Sequence, residues 1–297
     1  MMLTRSCPAK VNLFLEVTGK RPNGYHELAT LFAKINWADR LTIEAKPADT
    51  TSISLTLSGP VGKRLRADET NLVCRATRGF LEHFHLQATV EISLEKNIPT
   101  GAGLGGGSSD AAHTLLMLCE MFKKEARELL PFAAKLGADV PLFMYPDTFL
   151  KGEGIGEILT PISAGKNLPW LVLIYPNAFI STKMVFGNFT LPPAQEIAAR
   201  TAQLSQLITC LQIGKPLAEW EPLLFNRLER GVAAASKPVQ EALEALKAAG
   251  AHGVIMSGSG STVFGLVLTQ EKAQQLTHDL RRNGWQVFYS SFCAAKK

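Results

Sequence analysis

The chain has 297 residues, of which 46% are hydrophobic and 19% are charged. This balance is typical of a folded globular protein and excludes a chain that is disordered throughout. No apolar run approaches the roughly 18 residues of a membrane span. The stretch Val11–Val17 is interrupted by Asn12 and Glu16, which favours a strand over a signal peptide. The sequence therefore predicts a cytoplasmic protein without a membrane partner.

The charge balance is mildly positive, with 31 Lys and Arg residues against 26 Asp and Glu residues. Because nucleic-acid-binding proteins usually carry a basic stripe, the predicted partners are small molecules rather than nucleic acid, and a modest positive bias suits an anionic substrate. The five cysteines are scattered without CxxC spacing, which indicates reduced thiols rather than disulfides or a zinc site. We expect a monomer or a weak homodimer.

In the first half of the chain, strands and helices are predicted in mixed order. Alternating apolar and polar residues predict most of the strands. The predicted strands are 9–17, 28–35, 41–45, 52–57 and 89–95. The predicted helices are 71–84, about 109–122 and about 124–136, and a hairpin follows at 149–159.

Beyond residue 161 the composition changes. A strand at 170–175 is followed by 194–249, which is almost entirely helical in pattern, then a strand at 262–268, a helix at about 270–283 and a strand at 286–289. Since strands and helices mix without strict alternation, the sequence predicts an α+β fold. Two domains are predicted, 1–161 and 162–297. No functional prediction is attached to 191–249.

The segment Pro99-Thr-Gly-Ala-Gly-Leu-Gly-Gly-Gly-Ser-Ser-Asp110 lies between a predicted strand and a predicted helix. Glycines let backbone N–H groups come close to an anion, and the positive end of the following helix adds to the attraction. Ser108 and Ser109 can cap that helix or donate to phosphate. We therefore predict a phosphate loop rather than a flexible surface turn. A Cβ at positions 105–107 would then occupy the phosphate volume or exclude a positive φ.

Three familiar phosphate loops do not fit this segment. Gly101, Gly103 and Gly106 match the dinucleotide pattern formally, but a second helix follows instead of the strand of a βαβ unit. The lysine of a Walker loop is missing before Ser108, and the HRD and DFG elements of protein kinases are absent from the sequence. The remaining interpretation is a glycine loop without a lysine, placed at the N-terminus of a helix.

The segment Pro99–Ala111 resembles the phosphate loop of the GHMP kinase superfamily, which includes galactokinase and the homoserine and mevalonate kinases. Pro8–Leu13 resembles its first motif and Gly258–Phe264 its third. Arg21–Leu28 and Leu136–Pro141 resemble the branch that acts on a cytidine diphosphate-linked methylerythritol in the non-mevalonate isoprenoid pathway.

This resemblance implies ATP-dependent phosphorylation of the 2-hydroxyl of the methylerythritol unit, giving the 2-phosphate and ADP. It also implies an N-terminal domain similar to ribosomal protein S5 domain 2 and a ferredoxin-like C-terminal domain. Two alternatives stay open: another GHMP kinase of the homoserine or mevalonate type, and a non-catalytic ligand-binding relative.

The resemblance assigns Lys10 and Asp139 as the catalytic pair, with Asp139 as the base. A nearby lysine would keep that carboxylate ionised. From the residues alone, Asp139 could equally cap the next short helix and Lys10 could be solvated. Asn12 lies two residues from Lys10 and shares its strand face, and it resembles the substrate-positioning asparagine.

The remaining assignments also follow from the resemblance. For the cytidine, they are the stacking rings Tyr25 and Phe186, with His26 at the cytosine edge and Thr182 beside it; core packing and a turn histidine are the alternatives. For ATP, they are Asn71, Leu72, Lys96, Pro99, Thr100, Gly101, Ala102, Gly103, Leu104, Gly105, Gly106, Gly107, Ser108 and Ser109. Asn71 could instead start a helix, and Lys96 could be a surface charge. Mg²⁺ is expected with the ATP phosphates, and Ser108 is only a candidate ligand.

Overall fold

Two long strands run through much of the amino-terminal half of the chain: β1 (Met2–Lys20) and β2 (His26–Pro47). The strand predicted at 9–17 is confirmed and is longer at both ends. The two strands predicted at 28–35 and 41–45 form one strand. Neither Gly nor Pro occurs at 36–40, so nothing in the backbone ends the strand there.

The computed structural model describes residues 1–63, 65–282 and 284–294. Within these residues the chain divides into two units, and β1 and β2 contribute to both. The first unit comprises Met1–Ala9, Trp37–Thr100 and Gly105–Pro146. The second unit comprises Lys10–Asn36, Gly101–Leu104 and the chain from Asp147 onward.

The strands of the first unit follow the order β3-β4-β2-β1, with β3 (Ser52–Ser58) parallel to β4 (Ala88–Glu95) and β4 antiparallel to β2. Ala88, Val90, Ile92 and Leu94 are buried, whereas the residues between them are more exposed. This alternation of period two places one face of β4 in the core.

The helices of the first unit are α1 (Gly59–Gly62), α2 (Leu72–His83), α3 (Gly106–Phe122), α4 (Leu130–Leu136) and α5 (Val140–Met144). The predicted helix 124–136 is instead a 3₁₀ turn (Ala126–Leu129) followed by α4. Pro131 lies at the start of α4, where its missing N–H is tolerated although it could not continue a helix.

The second unit contains the predicted hairpin, formed by β5 (Phe149–Glu153) and β6 (Ile158–Ile162), and β5 also pairs with β2. A short strand, β8 (Phe225–Asn226), pairs in parallel with β1. Four further strands form an antiparallel sheet in the order β11-β7-β10-β9: β7 (Trp170–Tyr175), β9 (His252–Met256), β10 (Val263–Val267) and β11 (Gln286–Ser290).

The helices of the second unit are α6 (Thr182–Gly187), α7 (Ala194–Gln212), α8 (Leu217–Trp220), α9 (Glu229–Ala235), α10 (Lys237–Ala248) and α11 (Gln270–Asp279). Leu246 of α10 and Leu276 of α11 are buried in one apolar cluster with Val172 of β7 and Val263 of β10. The predicted helix at 270–283 ends at Asp279, and Asn283 lies outside the described residues. No helix in the described part of the chain is long and apolar enough to cross a membrane.

The mixture of helices and sheets confirms the α+β prediction. The border predicted at residue 161 stays a proposal, because both units are assembled from segments that are distant in the sequence.

Candidate active site

The glycine-rich loop joins β4 to α3. Gly101, Gly103 and Gly105 have φ values of 66°, 77° and 67°, a region that is costly for residues with a Cβ. α3 begins at Gly106, three residues before the predicted start, and the Gly105 carbonyl accepts the Ser109 N–H at 2.9 Å. Thus the first half of the loop needs glycine for its backbone conformation, whereas Gly106 and Gly107 are helical.

Gly106 needs its small size for a different reason from the one predicted. A Cβ at this position would lie 2.8 Å from Ile98 Cγ2 and 2.9 Å from Lys96 Nζ. Both atoms belong to the protein interior, so the expectation that this Cβ would occupy the phosphate volume is wrong for Gly106. At Gly107 a Cβ would make an ordinary contact, 3.6 Å from Leu72 Cδ1.

Lys96 is only 1% exposed, so the alternative of a surface charge is wrong. Its ammonium forms ion pairs with Asp39 and, at 2.8 Å, with Asp110 Oδ2. Asp39 and Asp110 are also buried. We call these three residues the Lys96 triad. Burial, opposed by Lys96 but reinforced by Asp39, raises the pKa of Asp110 to about 7.

The surroundings of the Lys96 triad are also buried. Cys7 is buried, and burial together with the charges of Asp110 and Asp39 raises the pKa of its thiol. A thiol in this state is a poor nucleophile. Within the described residues, Asp110 Oδ1 has no hydrogen-bond partner.

Lys10 and Asn12 lie together on β1, as predicted from their spacing. Lys10 Nζ donates to Asn12 Oδ1 at 2.8 Å, and Asn12 Nδ2 donates to Thr30 Oγ1 at 2.9 Å. The Lys10 backbone N–H donates to the Leu104 carbonyl of the glycine loop at 2.9 Å. Because Lys10 is only 4% exposed, the alternative of a solvated lysine is wrong.

The turn after β9 contacts this pair. A Cβ on Gly258 would lie 3.4 Å from Asn12 Oδ1 and 3.5 Å from Lys10 Nζ. Ser257 Oγ donates to the Gly103 carbonyl at 3.0 Å, and the Thr262 N–H donates to the Ala102 carbonyl at 3.2 Å. The second glycine-containing turn therefore holds residues 101–104 of the first loop beside Lys10.

Asp139 is half-buried at the residue that precedes α5. Its side chain makes no capping hydrogen bond to that helix within the described chain, so the capping alternative is not supported. A Cβ on Gly137 would lie 3.7 Å from Ser108 Oγ, which places the turn containing Asp139 next to the first residues of α3.

His26 and Phe186 come together, with ring centroids 5.2 Å apart and an interplanar angle of 33°. His26 is 7% exposed, and no described residue forms a hydrogen bond with its Nε2. Burial and the nearby Lys20 charge lower the pKa of His26. Tyr25 is 59% exposed.

Two other predicted site residues take part in local hydrogen bonds. Thr182 is the first residue of α6, and its hydroxyl oxygen Oγ1 lies 2.7 Å from Ser259 Oγ. Asn71 caps α2 by accepting the Val73 N–H at 3.0 Å, so the helix-start alternative is correct for its side chain. Among the residues that the structure describes, no three His, Cys, Asp or Glu side chains are grouped to hold a metal ion.

Residues 71–147 match the family described as GHMP kinases N terminal domain, and residues 210–285 match GHMP kinases C terminal. The chain is 40% identical to 4-diphosphocytidyl-2-C-methyl-D-erythritol kinase of Desulfotalea psychrophila, over 95% of this chain and 92% of the relative. It is 36% identical to the kinase of the same name from Chloroherpeton thalassium, over 95% of each chain. The chain belongs to the 4-diphosphocytidyl-2-C-methyl-D-erythritol kinase family.

A crystal structure of a kinase of this family has a TM-score of 0.76 and 35% identity, covering 97% of this chain and 99% of that one. Homoserine kinase from Cytophaga hutchinsonii has a TM-score of 0.77 at 21% identity, covering 98% and 95%. The GHMP kinase fold is therefore confirmed, and so is the predicted family. The nearly equal scores show that the fold alone does not separate substrates.

Sequence reasoning missed Asp39, Asp110, Thr30 and Ser257. Asp110 ends the quoted glycine motif and is a lone acid at the start of an apolar helix, which was a usable signal. Asp39 is 57 residues from Lys96 in the sequence, and nothing local indicates that the two are partners.

Proposed function

We propose that this protein transfers the γ-phosphoryl group of ATP to the 2-hydroxyl of 4-diphosphocytidyl-2-C-methyl-D-erythritol, giving the 2-phosphate and ADP. The observation that supports this most strongly is the identity of 36–40% to kinases of that name over more than 90% of both chains. Since the homoserine kinase fold is equally similar, the substrate is inferred from sequence likeness and from the site residues.

In the proposed reaction the 2-hydroxyl oxygen attacks the γ-phosphorus, the bond to the ADP oxygen breaks, and the hydroxyl proton passes to the Asp139 carboxylate. Asp139, which precedes α5, is proposed as the base because the resemblance to the family assigns it that role. Lys10, oriented by Asn12 at 2.8 Å, supplies positive charge for the transferring group. Phosphoryl transfer depends mostly on such positioning and charge stabilisation.

The glycine loop is the proposed phosphate site. Gly101, Gly103 and Gly105 turn the backbone through positive φ values, and α3 presents its positive end at Gly106. Both features favour an anion. The residues assigned to ATP around this loop remain part of the proposal, except Lys96, whose buried ammonium is paired with Asp39 and Asp110.

Mg²⁺ is proposed to accompany ATP. In kinase sites this ion is held by one or two protein oxygens together with substrate phosphates and water, so a three-residue cage is not required. Ser108, at the start of α3, offers a hydroxyl that fits such a donor set. When bound, Mg²⁺ neutralises charge on the β- and γ-phosphates.

The cytidine is proposed to bind beside His26. Its Nε2 atom is buried without a partner among the described residues, which is costly unless a ligand supplies one. Because burial lowers the pKa of His26, the ring is neutral at pH 7 and offers one donor and one acceptor. Tyr25 and Phe186 are the proposed stacking rings, with Thr182 at the edge of the pocket.

We further infer a cytoplasmic location and a monomer or weak homodimer that acts on small molecules and not on nucleic acid. The cysteines of the described chain form no disulfide bond, which suits a reducing compartment.

The test is to incubate the purified protein with ATP, Mg²⁺ and the cytidyl substrate and to follow ADP release and the 2-phosphate signal by ³¹P NMR. Homoserine and mevalonate serve as competing acceptors. Asp139→Asn should lower turnover by about 10²–10⁴-fold, the usual contribution of a general base, while ATP binding remains. Phosphorylation of mevalonate or homoserine in preference to the cytidyl compound would refute the proposed substrate.

A further inference from the structure

The Lys96 triad has no role in the proposed transfer, yet it joins the two ends of the glycine loop. Lys96 directly follows β4, Asp110 lies one turn into α3, and Asp39 lies on β2. The Lys96 ammonium is therefore bonded to Asp39, which lies on the strand next to β4, and to Asp110 in the helix that follows the loop.

The entrance to the loop is held by Asp39 as well. Its Oδ1 accepts the backbone N–H groups of Asn97 at 2.5 Å and of Ile98 at 2.8 Å, while its Oδ2 accepts from Lys96. Because hydrogen bonds to an ionised group are strong, Asp39 holds the backbone at Asn97 and Ile98 in place and balances the charge of Lys96.

Lys96 is itself immobilised. Its backbone N–H donates to the Ser58 carbonyl at 2.9 Å, and its carbonyl accepts the Val61 N–H at 3.1 Å. The first residue of α3 packs on its ammonium, since a Cβ at Gly106 would lie 2.9 Å from Nζ. The backbone at the exit of the loop therefore rests against a fixed charge.

A direct contact between Lys96 and a nucleotide does not fit this arrangement, because the ammonium is buried and bonded to two carboxylates. Stability alone is also a poor explanation, since a buried ion pair is often no more stabilising than apolar residues of the same size. We propose that Lys96 is a positioning residue, which with Asp39 and Asp110 holds the glycine loop in the conformation that binds the nucleotide phosphates. This inference rests on the proposed function of the loop.

Lys96→Met alone would leave two buried carboxylates without their cation and is expected to destabilise the protein strongly, which would obscure a specific effect on ATP binding. The better test is the double variant Lys96→Met, Asp110→Leu, which removes one charge of each sign and so leaves the formal charge of the triad at −1. Asp110→Asn is the conservative variant, since its amide oxygen can still accept from Lys96. Leu115→Ala is the matched control: Leu115 is buried in the same helix, and its loss lowers stability without touching the triad.

The readout is the affinity for a non-hydrolysable ATP analogue by calorimetry, together with KM for ATP, KM for the cytidyl substrate, kcat and the melting temperature. In the double variant we expect kcat/KM for ATP to fall by about 100-fold, the cost of misplacing a positioned group. The affinity for the analogue should fall as well, whereas KM for the cytidyl substrate should stay within a few-fold. Asp110→Asn should lie closer to wild type than to the double variant. Leu115→Ala should melt earlier but keep its ATP affinity.

A double variant that folds and binds the analogue like wild type would overturn the inference. So would a Leu115→Ala variant that loses as much ATP affinity as the double variant, because the effect would then be general destabilisation. If the proposed substrate were wrong, the result would be different: the wild type would bind the analogue but would not phosphorylate the cytidyl compound. The comparison of ATP affinities among the variants would then still test the role of Lys96.

Discussion

The Lys96 triad of the first unit and the His26 ring of the second unit are both buried polar groups, but their hydrogen bonding differs. Lys96 is bonded to two carboxylates of the protein, whereas His26 Nε2 has no partner in the described chain. A buried polar atom without a partner costs free energy. The comparison supports the two proposals, that the triad holds the loop in place and that a bound substrate supplies the missing partner of His26. Asp110 Oδ1, which also has no described partner, is the exception within the triad.

The largest effect is expected from breaking the triad on one side only. Lys96→Met should lower the free energy of unfolding by about 3–5 kcal/mol, because it leaves buried carboxylates without their cation. Urea denaturation at pH 7 measures this change. Lys46→Met is the matched control, since Lys46 pairs with Glu44 at an exposed position and should change stability very little. Equal losses in the two variants would contradict the structural role of the triad.

The triad should also give stability a pH dependence. The pKa of Asp110 is raised to about 7 in the folded state, so the folded protein holds more protons than the unfolded chain between about pH 4 and pH 7. The protonated Asp110 carboxyl contributes its full share of the free energy of unfolding below about pH 4. This contribution is lost as the pH rises through about 7, and the free energy of unfolding then falls by at most about 1.4 kcal/mol for each pH unit. Asp110→Asn should remove this slope, which melting temperatures measured from pH 4 to pH 8 can check. An unchanged slope in the variant would assign the effect to another group.

At His26, in contrast to the triad, we expect a substitution to weaken substrate binding and not to lower stability. His26→Phe keeps a flat ring against Phe186 and removes the unpartnered nitrogen, so the free energy of unfolding should not fall. Affinity for the cytidyl substrate should fall by about 1–3 kcal/mol, because the base edge loses its partner. Calorimetric titration with substrate and, as the control, with ATP separates the two ligands. Loss of stability with unchanged substrate affinity would show that the histidine belongs to the core.

The smallest effect is expected at Tyr25, whose side chain is 59% exposed. Tyr25→Ala should weaken the cytidyl substrate by about 1 kcal/mol, the lower end for one stacked base, and leave ATP affinity and melting temperature unchanged. Tyr25→Phe keeps the ring and is the matched control. An equal loss for both ligands in Tyr25→Ala would indicate a disturbed fold instead.

The sequence predicts those features that depend on neighbouring residues. Alternation predicts β3 and β4, Asn71 marks the start of α2, and the run of glycines marks the loop before α3. These signals are local because they follow from backbone conformation and from the burial of one face.

Features that depend on tertiary contacts were not predictable in this way. Asp39 and Lys96 are separated by 57 residues, so their pairing arises only when β2 and β4 lie side by side. The role of Gly106 was predicted wrongly for the same reason. A glycine has no side chain whose chemistry shows which neighbour it must avoid, and here the neighbours are Ile98 and Lys96.

The close approach of Gly106 to Lys96 also limits how the sequence can evolve. The space that an alanine at 106 would need contains Lys96 Nζ and Ile98 Cγ2, at 2.9 Å and 2.8 Å. A lineage that gains a side chain at 106 must therefore make room at both 96 and 98, and if residue 96 is shortened, an acid at 110 no longer faces a cation. Positions 39, 96, 98, 106 and 110 should consequently be inherited as one block, and a chimaera that joins the strand of one relative to the glycine loop of another should work only when the parents agree at all five.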